Sequence, residues 1–279
     1  MSRATSFYYA FLVLPRAQRE AIVAVWDFCR AVDDEVDEAE GGASADRDAI
    51  RAALQGWREE VGRCYEGSPQ TSQGRHLQPW IRRFDLSRQP LEHLIDGVEM
   101  DLDQLRYPTF DALYEYCWRV ASTVGFICIE IFGARSPAAR EYALNLGIAL
   151  QLTNIIRDVG SDAERGRIYV PQDDLARFNC SEAELMAGAA TAPVRNLLAF
   201  ECGRARDYYD RARAQLPLVD RRALVAAEIM GRIYRDTLRR VERSGYDVFA
   251  ARIRAPRPRQ AVLAIDTWMR MRLGFDVPA

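Results

Sequence analysis

Lysine is absent from this chain of 279 residues, and all 38 basic side chains are arginine. The sequence therefore excludes mechanisms that need a lysine amine, such as a Schiff base or the phosphate-binding lysine of a Walker A loop. Histidine is scarce as well, since His76 and His93 are the only two. This argues against a histidine-rich metal site and against Ser-His-Asp chemistry.

Three further absences limit the class of protein. The six cysteines are scattered and form no CxxC pair, so no disulfide framework is indicated. No stretch approaches the ~18 consecutive apolar residues of a spanning helix, and the N-terminus lacks the pattern of a signal peptide. The formal net charge of −2 provides no basic field for nucleic acid. We therefore expect a cytoplasmic protein with no nucleic-acid partner.

Apolar residues recur at three- and four-residue spacing over long stretches, which predicts helices, and alternating strand patterns are few. The hydrophobic fraction of 49% is enough for a substantial core. No internal repeat or low-complexity linker divides the chain, so residues 1–279 are predicted to form a single all-α domain. Segments 110–132 and 138–159 are the most apolar and should be central helices. The predicted helices span about residues 15–36, 46–64, 90–105, 110–132, 138–159, 194–216, 221–244 and 259–273.

A first acidic cluster lies near the end of an early helix. Asp33 and Asp37 are one helical turn apart and share a face. Like charges at this spacing cost ~0.2–0.5 kcal/mol, and acids at a helix C-terminus lose a further ~0.3–1 kcal/mol to the helix dipole. A cation between them would reverse the sign of both contributions. Taken alone, a solvated helix end explains this cluster more simply than a metal site does.

A second polar cluster interrupts a helix that is otherwise rich in leucine, isoleucine and alanine. Asn154, Asp158 and Asp162 are four residues apart and form one stripe, and Gln151 precedes Asn154 by three residues. Buried polar groups need partners, and buried carboxylates need cations. Core packing does not require such a stripe, so this cluster favours a functional site.

Together, the two clusters indicate a site for a hard cation. Mg²⁺ takes oxygen ligands and commonly shares one or two carboxylates with substrate phosphates. Arg30, Arg157, Arg165 and Arg167 flank the clusters, and guanidinium groups suit phosphate oxygens. The remaining apolar and aromatic wall would suit a hydrocarbon chain better than a sugar or a nucleotide.

Five segments together resemble the squalene/phytoene synthase family, from about residue 6 to about residue 250. The resemblance implies an all-α isoprenoid-synthase helical bundle around a central cavity. It also implies a prenyltransferase that joins two allylic diphosphates head to head with Mg²⁺, for which Mn²⁺ could substitute, and without NADPH. The segments are Ser6-Phe7, Cys29–Asp37, Tyr116–Gly125, Gln151–Asp162 and Gly166–Pro171.

The same resemblance assigns roles to individual residues. One departure is Trp26, which stands where the family often has tyrosine, and we assign it no polar role. The resemblance implies metal binding by Asp33, Asp37, Asp158, Asp162 and Asn154, substrate binding by Ser6, Phe7, Gln151, Asn154, Arg167, Tyr169 and Tyr234, and catalysis by Tyr116, Arg30 and Arg157.

The stretch 94–102 and the run to Gly133 look most like bacterial presqualene diphosphate synthases. We therefore expect condensation of two farnesyl diphosphates to presqualene diphosphate, on the route to squalene and hopanoids. Loss of one diphosphate would give an allylic cation, and loss of a proton would close a cyclopropane. The released diphosphate and Tyr116 are both candidates for the base.

Four alternatives stand beside this interpretation. A phytoene synthase would use two geranylgeranyl diphosphates and continue to a hydrocarbon. A chain-elongating prenyl synthase also carries the DDxxD pattern, but such enzymes usually hold a diphosphate partly with lysines. A class I terpene cyclase shares the 154/158/162 spacing, although it usually ends in Ser and Glu. A helical lipid-binding protein would not need two carboxylate pairs.

The C-terminal segment combines four arginines with Trp268 and several aliphatic residues. Such a helix could lie on an anionic membrane, where each cation contributes ~1 kcal/mol. The favoured interpretation is the final helix of the bundle, since Asp266 interrupts the basic character. The expected partners are isoprenoid diphosphates and downstream isoprenoid enzymes, with peripheral contact to the inner face of the cell membrane as the less favoured option.

Overall fold

The computed structural model describes residues 8–37, 47–250 and 253–277, and the regular elements in these ranges are helices. An isolated backbone bridge joins Arg106 and Ile168. The prediction of an all-α fold is confirmed. The helices are α1 (Tyr8–Leu12), α2 (Arg16–Asp37), α3 (Arg47–Glu66), α4 (Ser72–Phe84), α5 (Gln89–Asp103), α6 (Phe110–Cys117), α7 (Thr123–Phe132), α8 (Pro137–Glu164), α9 (Gln172–Arg177), α10 (Glu182–Met186), α11 (Ala192–Ala214), α12 (Val225–Arg243) and α13 (Arg257–Leu273), with a π-helical turn at Trp118–Ser122 and a 3₁₀ turn at Leu218–Asp220.

Side-chain caps fix where several helices begin. Thr109, Ser136 and Thr191 each accept a hydrogen bond from the backbone N–H three residues later, at the starts of α6, α8 and α11. Helix α4 was not predicted, because Pro79 lies inside it and its sequence is rich in polar residues. The short helices α1, α9 and α10 were also missed, since five or six residues show no clear period.

Helices α7 and α8 lie at the centre of the bundle, as their apolar composition predicted. Helix α8 packs against α7, α11 and α12, while α7 also packs against α2 and α5. The two helices that carry the aspartate motifs, α2 and α8, are therefore both neighbours of α7.

The predicted continuous helix at 110–132 is divided by the π-helical turn Trp118–Ser122. Helices α5 and α8 approach this turn through two glycines. A Cβ atom at Gly97 would lie 2.7 Å from Cβ of Arg119, and one at Gly147 would lie 2.6 Å from Cα of Ser122. π-Helical turns are often found at functional sites. Tyr116, which was predicted to be catalytic, lies just before this turn.

The C-terminal helix α13 packs against α12 and α1. Its buried face includes Leu263, Ala264, Thr267 and Met271. The segment is therefore part of the bundle, as the favoured interpretation of the sequence expected. Among the described helices, none has the length and apolar character needed to cross a membrane.

Candidate active site

A buried carboxylate organises two of the predicted site tyrosines. Asp101, near the end of α5, is 7% exposed. Its Oδ1 accepts a hydrogen bond from the hydroxyl of Tyr169 at 2.8 Å, and its Oδ2 accepts one from Tyr116 at 3.0 Å. Nη1 of Arg167 lies 3.4 Å from the Tyr169 hydroxyl. The structure thus brings Tyr116, Arg167 and Tyr169 together around an acid that the sequence analysis did not identify.

A third tyrosine completes this cluster. The ring of Tyr107 lies 5.6 Å from that of Tyr116 and 5.8 Å from that of Tyr169, measured between centroids. Its hydroxyl is buried and makes no hydrogen bond with the described residues. Since buried polar groups are normally paired, the Tyr107 hydroxyl has the capacity to bond to a ligand or a water molecule.

The polar stripe on α8 begins with an amide pair. Asn154 donates from its Nδ2 to Oε1 of Gln151 at 3.3 Å, and both side chains are half-buried. The side-chain amide oxygen of Asn154, Oδ1, is buried and has no hydrogen-bond partner among the described residues. A buried acceptor of this kind fits a cation or a donor from a bound molecule.

The next member of the stripe is held by its neighbour in sequence. Oδ1 of Asp158 accepts a hydrogen bond from Nε of Arg157 at 2.9 Å, and Oδ2 pairs with the same guanidinium. Although burial opposes its charge, the bonds to Asp158 raise the pKa of Arg157. The hydroxyl of Tyr234 on α12 also interacts with Arg157. Arg157, Asp158 and Tyr234 were assigned separate roles from the sequence, and they therefore form one interacting group.

The last member of the stripe, Asp162, lies on α8 because the helix continues to Glu164, beyond the predicted end at 159. Burial, together with the charge of Asp158, raises the pKa of Asp162 to about 7. Asp162 also lines a small cavity with Arg167 and Tyr169. This cavity connects the α8 stripe to the cluster around Asp101.

The first acidic motif has a different environment. Asp33 is exposed, and Arg30 points its Nε to Oδ2 of Asp34 at 3.5 Å. The structure therefore pairs Arg30 with its own motif, and the predicted diphosphate contact of Arg30 stays a prediction. Three predicted site groups, Ser6, Phe7 and the side chain of Asp37, lie outside the described residues.

The oxygen atoms on α8 fit the predicted divalent cation in their chemistry. Asn154 offers an unpaired carbonyl oxygen, and Asp158 and Asp162 offer carboxylates on the same face of the helix. In the described part of the chain, however, no three acidic, histidine or cysteine side chains form a ready-made metal cluster. Mg²⁺ commonly shares its coordination shell with water and substrate phosphates, so a few protein oxygens are sufficient.

The geometry bears on the choice of base. The Tyr116 hydroxyl donates to Asp101, and burial together with the Asp101 charge raises the pKa of Tyr116 well above its ordinary value. A phenol in this setting holds its proton and serves as a hydrogen-bond donor. This environment argues against Tyr116 as the base.

Sequence reasoning missed Asp101 and Tyr107. Asp101 follows Leu94 and Val98 at helical spacing, and all three are buried on α5. An acid on the apolar face of a helix was therefore the available signal. Tyr107 lies between α5 and α6, where no periodicity exists to reveal that it is completely buried.

Comparisons with known proteins identify the family to which the chain is similar. The squalene/phytoene synthase family model matches residues 2–259. A 15-cis-phytoene synthase of Synechococcus elongatus is 40% identical over 267 residues, covering 91% of this chain and 84% of the relative. A solved dehydrosqualene synthase in complex with ligand aligns with a TM-score of 0.85 at 28% identity, covering 97% of this chain and 93% of that one. Squalene synthase HpnC from Alicyclobacillus acidocaldarius aligns with a TM-score of 0.77 at 31% identity, covering 86% and 89%.

Proposed function

Because this chain belongs to the squalene/phytoene synthase family and is a prenyltransferase, we propose that it condenses two geranylgeranyl diphosphates head to head to phytoene. The observation that carries the choice of substrate is the similarity to phytoene synthases, at 40% identity for the Synechococcus elongatus enzyme and 38% for that of Arthrospira platensis. These relatives favour phytoene synthesis over the presqualene diphosphate synthesis expected from residues 94–133.

The proposed reaction begins with the departure of one diphosphate. Arg157 and Arg167 would stabilise the charge that develops on the leaving group, together with the pocket amides Gln151 and Asn154. Asp33, Asp37, Asp158, Asp162 and Asn154 would hold Mg²⁺, or Mn²⁺ in its place, and the bound cation would supply Lewis-acid stabilisation of the diphosphate oxygens. No NADPH is expected, because the formation of phytoene requires no reductant.

Arg157 already has an anionic partner in Asp158. We propose that the incoming diphosphate competes for this guanidinium, which would free Asp158 to hold the cation. Tyr234, which interacts with Arg157 from α12, would keep the guanidinium oriented during this exchange. Arg30 on α2 would serve the diphosphate from the other aspartate motif.

The second substrate would attack the allylic cation through its double bond, and a proton would leave to the released diphosphate as the cyclopropane closes. Loss of the second diphosphate, rearrangement and loss of a second proton would then give the hydrocarbon. Tyr116 would lie near the reacting carbons and Tyr169 near a diphosphate, with both hydroxyls oriented by the hydrogen bonds that they donate to Asp101. The apolar helices α7 and α8 would keep water away from the cations.

Presqualene diphosphate synthesis from farnesyl diphosphate is the second candidate. Two observations favour it: the likeness of residues 94–133 to presqualene diphosphate synthases, and the alignment with squalene synthase HpnC at 31% identity. The two reactions share their first half, and they differ in substrate length and in the fate of the cyclopropane intermediate.

Product identification tests the proposal. The full chain is incubated with Mg²⁺ and either geranylgeranyl or farnesyl diphosphate, and products are identified by mass spectrometry. We expect phytoene from geranylgeranyl diphosphate and a lower rate with farnesyl diphosphate. Presqualene diphosphate from farnesyl diphosphate, with geranylgeranyl diphosphate inert, would establish the second candidate instead.

The same proposal includes the protein's surroundings. We propose a single-domain cytoplasmic enzyme that passes its product to downstream isoprenoid enzymes and binds no nucleic acid. The family match over residues 2–259 supports the single domain.

A further inference from the structure

The exposed apolar side chains of this protein are concentrated in one region. Of the eleven large hydrophobic side chains that are exposed in the described residues, six lie on α13 and the segment that follows it, and two lie on the 3₁₀ turn Leu218–Asp220. We define these eight as the C-terminal patch: Leu218, Val219, Val262, Ile265, Trp268, Met269, Leu273 and Phe275.

The two parts of the patch are joined directly. Arg221, which follows the 3₁₀ turn, donates from its guanidinium to the backbone carbonyls of Gly274 and Phe275. Leu218 and Val219 are 80% and 85% exposed beside this junction. The Arg221 hydrogen bonds therefore hold the 3₁₀ turn next to the end of α13.

Helix α13 has two apolar faces. Val262, Ile265, Met269 and Leu273 follow one another at three- and four-residue steps along one side. At 100° per residue this stripe lies opposite Leu263, Ala264, Thr267 and Met271, which pack against the bundle. Packing against the bundle therefore explains the apolar character of one face of α13, and it does not explain that of the other.

The charges around the patch favour an anionic partner. The exposed Arg257 and Arg272 lie at the two ends of α13, and the Arg272 guanidinium lies 5.5 Å from the ring centroid of Trp268. Asp266, which interrupted the basic character of the sequence, pairs with Arg232 and Arg270. Its negative charge is therefore compensated within the protein.

We infer that the C-terminal patch docks this enzyme on an anionic lipid surface, with the apolar stripe and Trp268 in the headgroup layer and the arginines at the phosphates. The choice of lipid rests on the proposed function, because both the substrates and the product carry long hydrocarbon chains. Helix α13 packs against α12, which also carries the site residue Tyr234, so the docked face lies one helix from the site.

Vesicle co-sedimentation of the full chain tests the inference without substrate. The vesicles are phosphatidylcholine alone, or phosphatidylcholine with about 30% phosphatidylglycerol. The test variant combines Val219→Ser, Ile265→Ser and Met269→Ser. The matched control, Met186→Ser, removes an exposed apolar side chain outside the patch. We expect wild type and control to bind the anionic vesicles, and the test variant to bind about ten-fold more weakly.

Three results would overturn the inference. The first is equal vesicle binding by wild type and test variant, and the second is no vesicle binding by wild type. The third is a wild-type dimer in analytical ultracentrifugation that the test variant converts to monomer, without vesicle binding, since the patch would then join two copies of the chain. Circular dichroism checks that the variant is folded. A failure of the proposed phytoene synthesis would leave the binding result unchanged, so the two proposals fail separately.

Discussion

The Tyr169 hydroxyl donates a hydrogen bond to Oδ1 of Asp101 at 2.8 Å, which ties the segment after α8 to the end of α5. The other carboxylate oxygen of Asp101, Oδ2, accepts a hydrogen bond from the Tyr116 hydroxyl. One buried carboxylate thus fixes the direction of two hydroxyls, although it belongs to neither aspartate motif. We conclude that Asp101 is a positioning residue for the two tyrosines.

Replacement of Asp101 by asparagine should disturb this arrangement without changing the shape of the side chain. Asparagine offers one acceptor and one donor group, so only one of the two hydroxyls can keep its bond. We expect kcat to fall by about 10–100-fold with a smaller change in KM, because Tyr116 is proposed to act near the reacting carbons, whereas Tyr169 is one of several residues proposed to bind substrate. Steady-state kinetics measures both constants.

Asp103→Asn is the matched control for this variant. Asp103 lies two residues further along α5, is exposed and pairs with Arg51 on the surface. It should leave both kinetic constants near wild type. Equal activity of the two variants would contradict the positioning role.

The close approach of α8 to the π-helical turn predicts a stability effect. In Gly147→Ala, the new Cβ would lie 2.6 Å from Cα of Ser122, so the two backbones must separate. We expect a loss of about 1–3 kcal/mol in the free energy of unfolding. Gly56→Ala on α3 is the control, since nothing lies within 4 Å of its Cβ position and alanine is the better helix former. It should raise stability by about 0.5–1 kcal/mol. Urea denaturation measures the free energy of unfolding of both variants and of the wild type. A Gly147→Ala variant as stable as the wild type would contradict the close approach of α8 to the π-helical turn.

A buried cluster of charged groups between α9 and α11 predicts a pH dependence of stability. Glu201 is 2% exposed, and it shares the Arg204 guanidinium with Asp174. Burial raises the pKa of Glu201 to about 7, although Arg204 opposes this. The folded protein therefore binds this proton more tightly than the unfolded chain does, and stability falls as pH rises from about 4.5 to about 7.

We expect the wild type to lose on the order of 2 kcal/mol of unfolding free energy between pH 5 and pH 8 from this group. Glu201→Gln removes the titration, so its stability should change less over the same range. Urea denaturation of both proteins at the two pH values measures the difference. Parallel pH profiles would show that Glu201 is ionised throughout.

The sequence predicted those features in which residues of one kind recur at a regular spacing. Apolar spacing indicated the long helices, and the four-residue spacing of Asn154, Asp158 and Asp162 indicated a polar stripe on one face of α8. Asp101 was missed because a single acid on an apolar face resembles an ordinary helix residue until its partners are known. The π-helical turn was missed because it follows from the contacts of Gly97 and Gly147 with a distant segment.

Side-chain partners could not be predicted either. Arg157 was expected to face a diphosphate, and the structure shows it paired with Asp158. Adjacent residues in a helix project in different directions, so spacing gave no reason to expect this pair. The pair forms because the Arg157 side chain is long enough for its guanidinium to reach the Asp158 carboxylate.

The two aspartate motifs give a prediction of their own. Asp33→Ala and Asp158→Ala should each abolish turnover, because each removes a proposed metal ligand, while circular dichroism should show a folded helical protein. Asp207→Ala, an exposed acid on α11, should retain activity. Near-normal turnover in either motif variant would contradict the metal assignment.

The most direct test of the proposed reaction is its stoichiometry. The full chain is incubated with geranylgeranyl diphosphate and Mg²⁺, and the substrate consumed and the inorganic diphosphate released are measured in the same sample. Synthesis of phytoene releases one diphosphate for each substrate molecule consumed, and the extracted product is a hydrocarbon. A ratio of one half, with a product that retains a diphosphate, would show that the reaction stops at the cyclopropane and would contradict phytoene synthesis.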